Sequence, residues 1–229
     1  MKPLFVAGTD TGVGKTLVAT AIVRGFAEAG LRVVGMKPVA SGCAETPDGL
    51  RNEDALALQG ASNVRSRYSD INPYAFMPAI APHIAAEEAG IEMSLDRLEH
   101  AYERLALSAD VVVIEGAGGW LTPLDSQLTL ADFAIRLDAD VLLVVGLRLG
   151  CINHAVLTAR AVQAAGLRLC GWVGNAIDPG FERRDANLRT LSASLRVPCL
   201  GLVRYAGHPT LAETVSQLDL RGLRDHLSL

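Results

Sequence analysis

Residues 3–16 read Pro3-Leu-Phe-Val-Ala-Gly8-Thr-Asp-Thr-Gly-Val-Gly-Lys15-Thr16. An apolar run breaks into glycines, and a helical pattern follows in which Val18, Ala21, Ile22, Gly25, Phe26 and Ala29 share one face. A phosphate-binding loop needs this setting. Glycines let the main chain curl until its N–H groups point at phosphate oxygens, and the helix adds its positive N-terminal end. Lys15 is expected to reach terminal phosphates as a point charge, and the Thr16 hydroxyl to ligate Mg²⁺. The usual pattern has its first glycine where Thr9 stands; here Gly8 comes one residue earlier.

Outward from this loop, apolar runs recur at Arg32–Met36, Val111–Ile114, Val141–Val145, Leu169–Val173 and Cys199–Val203. None alternates with polar residues, which fits strands buried on both faces of a parallel sheet. Helical stripes lie between them, at Leu95, Leu98, Tyr102 and Leu105 and at Ile152, Val156, Ala159 and Val162. The expectation is an α/β chain of the P-loop NTPase type: a doubly wound, mostly parallel sheet with helices on both faces, as one domain over residues 1–229. Residues 41–52 and 61–82 read as long loops, and Leu211–Leu227 as one or two helices.

The composition narrows the function. The 229 residues are 50% hydrophobic and 20% charged, which excludes a disordered chain, and a net charge of −4 argues against a nucleic-acid partner. No apolar stretch is long enough for a membrane helix or a signal peptide. Cys43, Cys151, Cys170 and Cys199 show no metal or disulfide spacing, nor do His83, His100, His154, His208 and His226. Reduced thiols in a cytoplasmic protein are expected.

Glu115 follows the run Val111–Ile114, at the sheet edge where open α/β folds bind ligands. With Mg²⁺ preferring oxygen donors, Glu115 is a candidate ligand. Gly116, Ala117, Gly118 and Gly119 follow, permitting close backbone approach to a phosphate or substrate. Asp54 opens the helical pattern Glu53–Gln59, where the residues alone read it as a helix-start carboxylate sooner than a ligand. Lys37 and Ser41 follow the second strand; Lys37 could neutralise charge on a transferring phosphoryl group and Ser41 could donate to a substrate, though by themselves both read sooner as surface groups. Gly150, Cys151, Ile152 and Asn153 open a helix, either as a simple cap or as a site for a carboxylate. Asn175 ends a strand with an amide that matches an adenine edge or closes a turn.

Together these motifs resemble the dethiobiotin synthetase family. The resemblance rests on Gly8–Thr16, Met36-Lys-Pro-Val-Ala-Ser-Gly42, Arg51-Asn-Glu-Asp-Ala-Leu56, Asn72-Pro-Tyr74, Ala81-Pro-His83, Val113-Ile-Glu-Gly-Ala-Gly-Gly-Trp120, Leu149-Gly-Cys-Ile-Asn-His154 and Gly171-Trp-Val-Gly-Asn175. It implies a homodimeric enzyme that uses ATP and Mg²⁺ to insert CO₂ into 7,8-diaminononanoate, closing a cyclic urea. On this chain it implies Lys15, Lys37 and Thr11 at the phosphoryl centre, and Thr16, Asp54 and Glu115 on Mg²⁺. The main chain of Gly12, Val13, Gly14, Lys15 and Thr16, with Gly116, Ala117 and Gly118, would surround the nucleotide. Asn175 and Ala176 would meet adenine, Ser41 the carbamate, and Gly150–Asn153 the substrate carboxylate. Family members often carry a proline after the last strand; Val203-Arg-Tyr205 stands there, so Arg204, Tyr205 and Ala206 are weaker adenine contacts.

Two rivals share the phosphate loop. A nucleotide-switch ATPase would place a second lysine early in the loop, where Asp10 and Thr11 stand. A small-molecule kinase would need an arginine lid, for which Arg183 and Arg184 are available.

Overall fold

The computed structural model describes residues 3–207 and 209–229; Met1, Lys2 and His208 lie outside the described residues. All six apolar runs are strands of one parallel sheet: β1 (Leu4–Gly8), β2 (Val33–Met36), β3 (Val111–Glu115), β4 (Asp140–Leu147), β5 (Leu169–Ala176) and β6 (Cys199–Val203). Their spatial order is β6-β5-β4-β1-β3-β2. From β1 the chain runs to the edge strand β2, comes back to place β3 between them, and then lays β4 on the other side of β1. That reversal opens a crevice at the carboxyl ends of β1 and its neighbours, where ligands bind in such sheets.

The helices include α1 (Lys15–Glu28), α2 (Glu53–Ala61), α3 (Leu95–Ala106), α4 (Leu130–Arg136), α5 (Cys151–Ala164), α6 (Arg184–Leu195), α7 (Leu211–Ser216) and α8 (Leu220–Leu227), and two further helical segments, Tyr68–Ile71 and Pro82–Glu88, lie between α2 and α3. Alternation along each strand explains the unbroken apolar runs. Leu4 and Val6 face one core with Val18, Ile22 and Phe26 of α1, Leu58 of α2 and Leu223 of α8. Phe5 and Ala7 face the other, with Leu98 and Leu105 of α3, Phe133 of α4, Val162 of α5 and Leu191 of α6. Both faces are covered, so neither tolerates polar residues. Among the described residues no helix is long and apolar enough to cross a membrane.

Several details differ from the sequence reading. Residues 41–52 are not all loop: Ala44–Thr46 pairs antiparallel with Gly49–Arg51, and the Thr46 hydroxyl donates to the Gly49 carbonyl at 2.7 Å. This hairpin is short and largely solvated, so it carries no apolar pattern. The 61–82 stretch holds a helical turn, Tyr68–Ile71, and Tyr74–Ala75 pairs in parallel with Val39–Ala40. On α5 the buried stripe is Cys151, Ala155, Ala159 and Val162, turned from the expected one, with Ile152 and Val156 half-buried. Ala29 ends α1 and is exposed. The C-terminal region is two helices, capped by Thr210 and Asp219.

Both sheet edges are closed by the chain itself. On β2, the outward N–H groups of Val33, Gly35 and Lys37 donate to the Asn63 side chain (2.8 Å), the Ser62 hydroxyl (3.0 Å) and the Ile71 carbonyl (2.7 Å). Along β6, Gly201 bridges Leu218, and the Asp219 N–H donates to the Leu200 carbonyl at 2.7 Å. Unpaired edge groups would otherwise be open to other strands.

Candidate active site

Strand register assembles the site. Met36 of β2 pairs with Ile114 of β3, so the next residues, Lys37 and Glu115, stand side by side. Val6 of β1 pairs with Glu115, bringing the loop after Gly8 to the same edge. Asn52 caps α2, its Oδ1 accepting from the Ala55 N–H at 3.2 Å, which fixes Asp54 in the first turn. The Lys37 ammonium lies between two carboxylates, 2.6 Å from Glu115 Oε1 and 2.8 Å from Asp54 Oδ2. Thr16 Oγ1 donates to the same Glu115 oxygen at 2.7 Å.

This cluster is buried: Lys37 is 5% exposed and Glu115 1%. Burial opposes the Lys37 charge, but Glu115 and Asp54 outweigh it and hold Lys37 above its ordinary value of 10.5. Burial also works against the Asp54 carboxylate, yet Lys37 and Thr16 bring it below its ordinary value. Full burial pushes Glu115 up. Lys15 falls to about 8, through burial and then the neighbouring Lys37 charge. Its Nζ donates to the main-chain carbonyls of Asp10 (2.9 Å) and Gly118 (2.7 Å), bridging two loops.

These groups line a cavity of about 810 Å³, together with Thr11, Gly12, Gly14, Ser41, Ala117 and Gly118. Val13 and Gly116 lie behind the cavity wall: Val13 is buried, and Gly116 lies against the Phe5 ring. Asn175 is 6% exposed, and its Nδ2 donates to the Val13 carbonyl at 2.9 Å, so that amide nitrogen holds the phosphate loop. Gly14 permits this approach: its φ is +93°, and a Cβ there would lie 2.1 Å from Asn175 Nδ2. Ala176 and Tyr205 line a neighbouring cavity of about 650 Å³ with Arg183 and Arg184. Arg204 and Ala206 are exposed, and the Arg204 N–H donates to the Gln217 side chain.

Gly150–Asn153 are not brought into the larger cavity. They open α5 beside it, where Arg148 forms an ion pair with Asp10 of the phosphate loop. Asn52, Thr122, Pro123 and Ala79–Pro82 line the cavity although the residue patterns gave them no role. For Asn52 a signal existed, a capping residue followed by two acids. For Thr122 there was none.

Two atoms in the site lack partners. Glu115 Oε2 and Ser41 Oγ are buried without a hydrogen bond. Among the described residues no group of three His, Cys, Asp or Glu side chains could hold a metal, so a cation here would rest on two carboxylates and a hydroxyl. Those are hard oxygen donors, and Glu115 has an oxygen free for one.

The chain was compared with known proteins. A family model described as an AAA domain matches residues 2–209. The ATP-dependent dethiobiotin synthetase BioD of Pseudomonas aeruginosa (strain UCBPP-PA14) is 51% identical over 224 residues, covering 97% of this chain and 98% of its own. The chain belongs to the dethiobiotin synthetase family. A second family member, BioD of Xanthomonas campestris pv. campestris (strain B100), is 52% identical over 201 residues, covering 88% of this chain and 90% of its own. Among solved structures, the MinD cell division protein of Aquifex aeolicus superposes with a TM-score of 0.59 at 14% identity, covering 100% of this chain and 98% of that one. A ParA family ATPase from Chlorobium tepidum gives 0.56 at 12% identity, covering 100% and 96%. At such identities this chain shares its fold with these two proteins, and the likeness extends no further.

Proposed function

We propose that this chain is an ATP-dependent dethiobiotin synthetase whose phosphoryl transfer centres on Lys37, acting as a single catalytic domain. One observation carries the reading: the Lys37 ammonium is buried between Asp54 and Glu115, with Thr16, Lys15 and Ser41 around the same cavity. Thr16, Asp54 and Glu115 would hold Mg²⁺. Their oxygen chemistry and the unpartnered Glu115 Oε2 support this. The ion would supply charge neutralisation at the phosphates.

The reaction joins one amine of 7,8-diaminononanoate to CO₂, forming a carbamate and releasing a proton. A carbamate oxygen takes the γ-phosphoryl group of ATP, and ADP leaves. The second amine attacks the carbonyl carbon of that mixed anhydride, and phosphate departs as the urea ring closes. Each chain residue has a part. The main chain of Gly12–Thr16 donates to phosphate oxygens, and Lys15 exchanges its two carbonyl partners for them. Thr11 donates beside the transferring group, and Gly116–Gly118 wall it in. Lys37 offsets the repulsion between phosphate and carbamate. Ser41, buried with an unused hydroxyl, donates to the carbamate.

Asn175 and Ala176 would meet adenine, with Arg204, Tyr205 and Ala206 at the rim. Gly150–Asn153 would receive the substrate carboxylate in a homodimer, since this helix start lies outside the cavity of one chain. Leu149 beside it is 90% exposed, as a residue awaiting a partner surface would be. The four free thiols support a cytoplasmic location.

The test is ATP turnover with and without diamine and bicarbonate, across a Mg²⁺ titration. Turnover that needs both additions is expected, with dethiobiotin as product. Asp54→Asn and Glu115→Gln should each raise the Mg²⁺ requirement and cut turnover at least about tenfold, or ~1.4 kcal/mol. Unchanged titrations in both variants would remove these residues from the metal site.

A further inference from the structure

Lys37 and Ser41 come from one segment, Met36–Gly42, and Asp54 from the start of α2, and a largely buried hydrogen-bonded chain ties the two together. The Asn52 N–H donates to Tyr68 Oη at 2.7 Å, and Tyr68 Oη donates to Asn72 Oδ1 at 3.2 Å. Asn72 Nδ2 donates to the Lys37 carbonyl at 2.7 Å and to the Tyr74 carbonyl at 3.1 Å. At the other end, Asn52 caps α2 two residues before Asp54, and its Nδ2 reaches the Ser41 carbonyl at 3.4 Å. Asn52 and Asn72 are 7% and 4% exposed. The hydrogen bonds of Lys37 Nζ go to Asp54 and Glu115, not to Asn52, Tyr68 or Asn72.

We infer that Tyr68 is a positioning residue for the phosphoryl-transfer site, its hydroxyl joining the segment that holds Lys37 to the helix start that holds Asp54. The inference rests on the roles proposed above for Lys37 and Asp54. Each group in the chain has its polarity fixed. Asn52 presents only an N–H, so Tyr68 must accept there and donate onward, which orients Asn72 with its amide nitrogen toward Lys37. The relay thereby sets the spacing of two charged side chains without touching them. Arg51 stacks over the Tyr68 ring at 4.2 Å and holds the ring independently of the hydroxyl.

Tyr68→Phe removes one oxygen atom and keeps the ring and its stacking. It should lower kcat by about 10–10², the size of effect that a small misplacement in a site produces. It should also raise the Mg²⁺ concentration for half-maximal turnover, while the KM for ATP changes less than about threefold. Leu223→Ala, in the core beneath α8 and remote from the relay, is the control for lost stability; it should lower Tm at least as far and leave kcat and the Mg²⁺ requirement alone. Wild-type kcat and Mg²⁺ dependence in Tyr68→Phe, beside a Lys37→Gln variant that has lost turnover, overturns the relay alone. So does a Leu223→Ala variant that reproduces the Tyr68→Phe changes. Wild-type turnover in Tyr68→Phe, Lys37→Gln and Asp54→Asn together overturns the site reading and the relay with it.

Discussion

Lys37 is the residue on which most of the proposed chemistry converges, and its surroundings say what removing it should do. Two unit charges about 4 Å apart repel by roughly 4 kcal/mol at an effective dielectric of 20. In the proposed reaction such repulsion would act between phosphate and carbamate, and in the resting site the Asp54 charge likewise works against that of Glu115. Lys37→Gln should lower kcat by about 10²–10³, as when one preorganised donor is lost. ATP affinity should change less than about tenfold, because Lys15 and the loop main chain remain. Lys37→Arg should not restore full activity, since a planar fork cannot occupy a point-charge site buried between two acids. Calorimetry of ATP binding beside ring-closure rates checks this; a variant inactive only because ATP no longer binds would contradict it. Part of this site was legible in the sequence and part was not. Lys15, Thr16 and Glu115 were readable because a glycine-rich turn and a strand end fix where such side chains project. From the residues alone Asp54 and Lys37 read sooner as a helix-start carboxylate and a surface lysine, because their places in the cavity come from strand register and helix placement across long separations, and the family resemblance turned the reading toward the site. Asn175 carried a readable amide, but its hold on the Val13 carbonyl depends on a loop conformation that no local pattern encodes.

Between elements, Gly35 of β2 packs closely against α2. A Cβ on Gly35 would lie 2.7 Å from Leu58 Cβ, an atom fixed to the helix backbone that cannot swing aside. Leu58 is one turn beyond Asp54. Gly35→Ala should therefore push α2 outward, destabilise the fold by about 1–3 kcal/mol, and lengthen the Lys37–Asp54 contact. Denaturant melts and Mg²⁺ titration read the two effects, and wild-type behaviour in both would show that α2 has room to adapt. Where the chain enters β2 and β3, Arg32 and Asp110 hold each other. The Asp110 carboxylate accepts from the Arg32 N–H at 2.8 Å and from its guanidinium, and these bonds keep its pKa below the ordinary 3.8. A lowered carboxylate stabilises the fold above its unfolded pKa, and the contribution is lost as pH falls through the folded value. Asp110→Asn should then lower Tm at pH 7, with the gap to wild type closing below about pH 3. An equal gap at both pH values would mean the charge is not what matters. The six strands were all legible as unbroken apolar runs; burial on both faces accounts for five of them, whereas Cys199 and Leu202 of β6 are exposed. The hairpin at residues 44–51 was not, since solvated three-residue strands obey no burial pattern.

At the scale of the whole molecule, the α/β architecture followed from alternating runs and stripes, whereas assembly leaves a fainter trace in one chain. Leu149 and Leu157 are exposed at and along α5, and the residues expected to take the substrate carboxylate stand outside the cavity. A twofold-symmetric dimer through this face is the expected state. Sedimentation should show a dimer at micromolar concentration, and Leu157→Glu should shift it toward monomer with loss of activity. A fully active monomer would contradict the proposed assembly. The closed sheet edges constrain how such copies meet. With Val33, Gly35 and Lys37 already matched by side chains and a carbonyl on one flank, and Leu200 matched on the other, the sheet offers no row of idle main-chain groups to a neighbour. Two copies must therefore join through helices and loops, not by continuing one sheet into the next. The same closure guards the six-stranded sheet against runaway fibrillar growth, since strand-by-strand recruitment to it could begin only after residues 62–71 or 218–219 had peeled away.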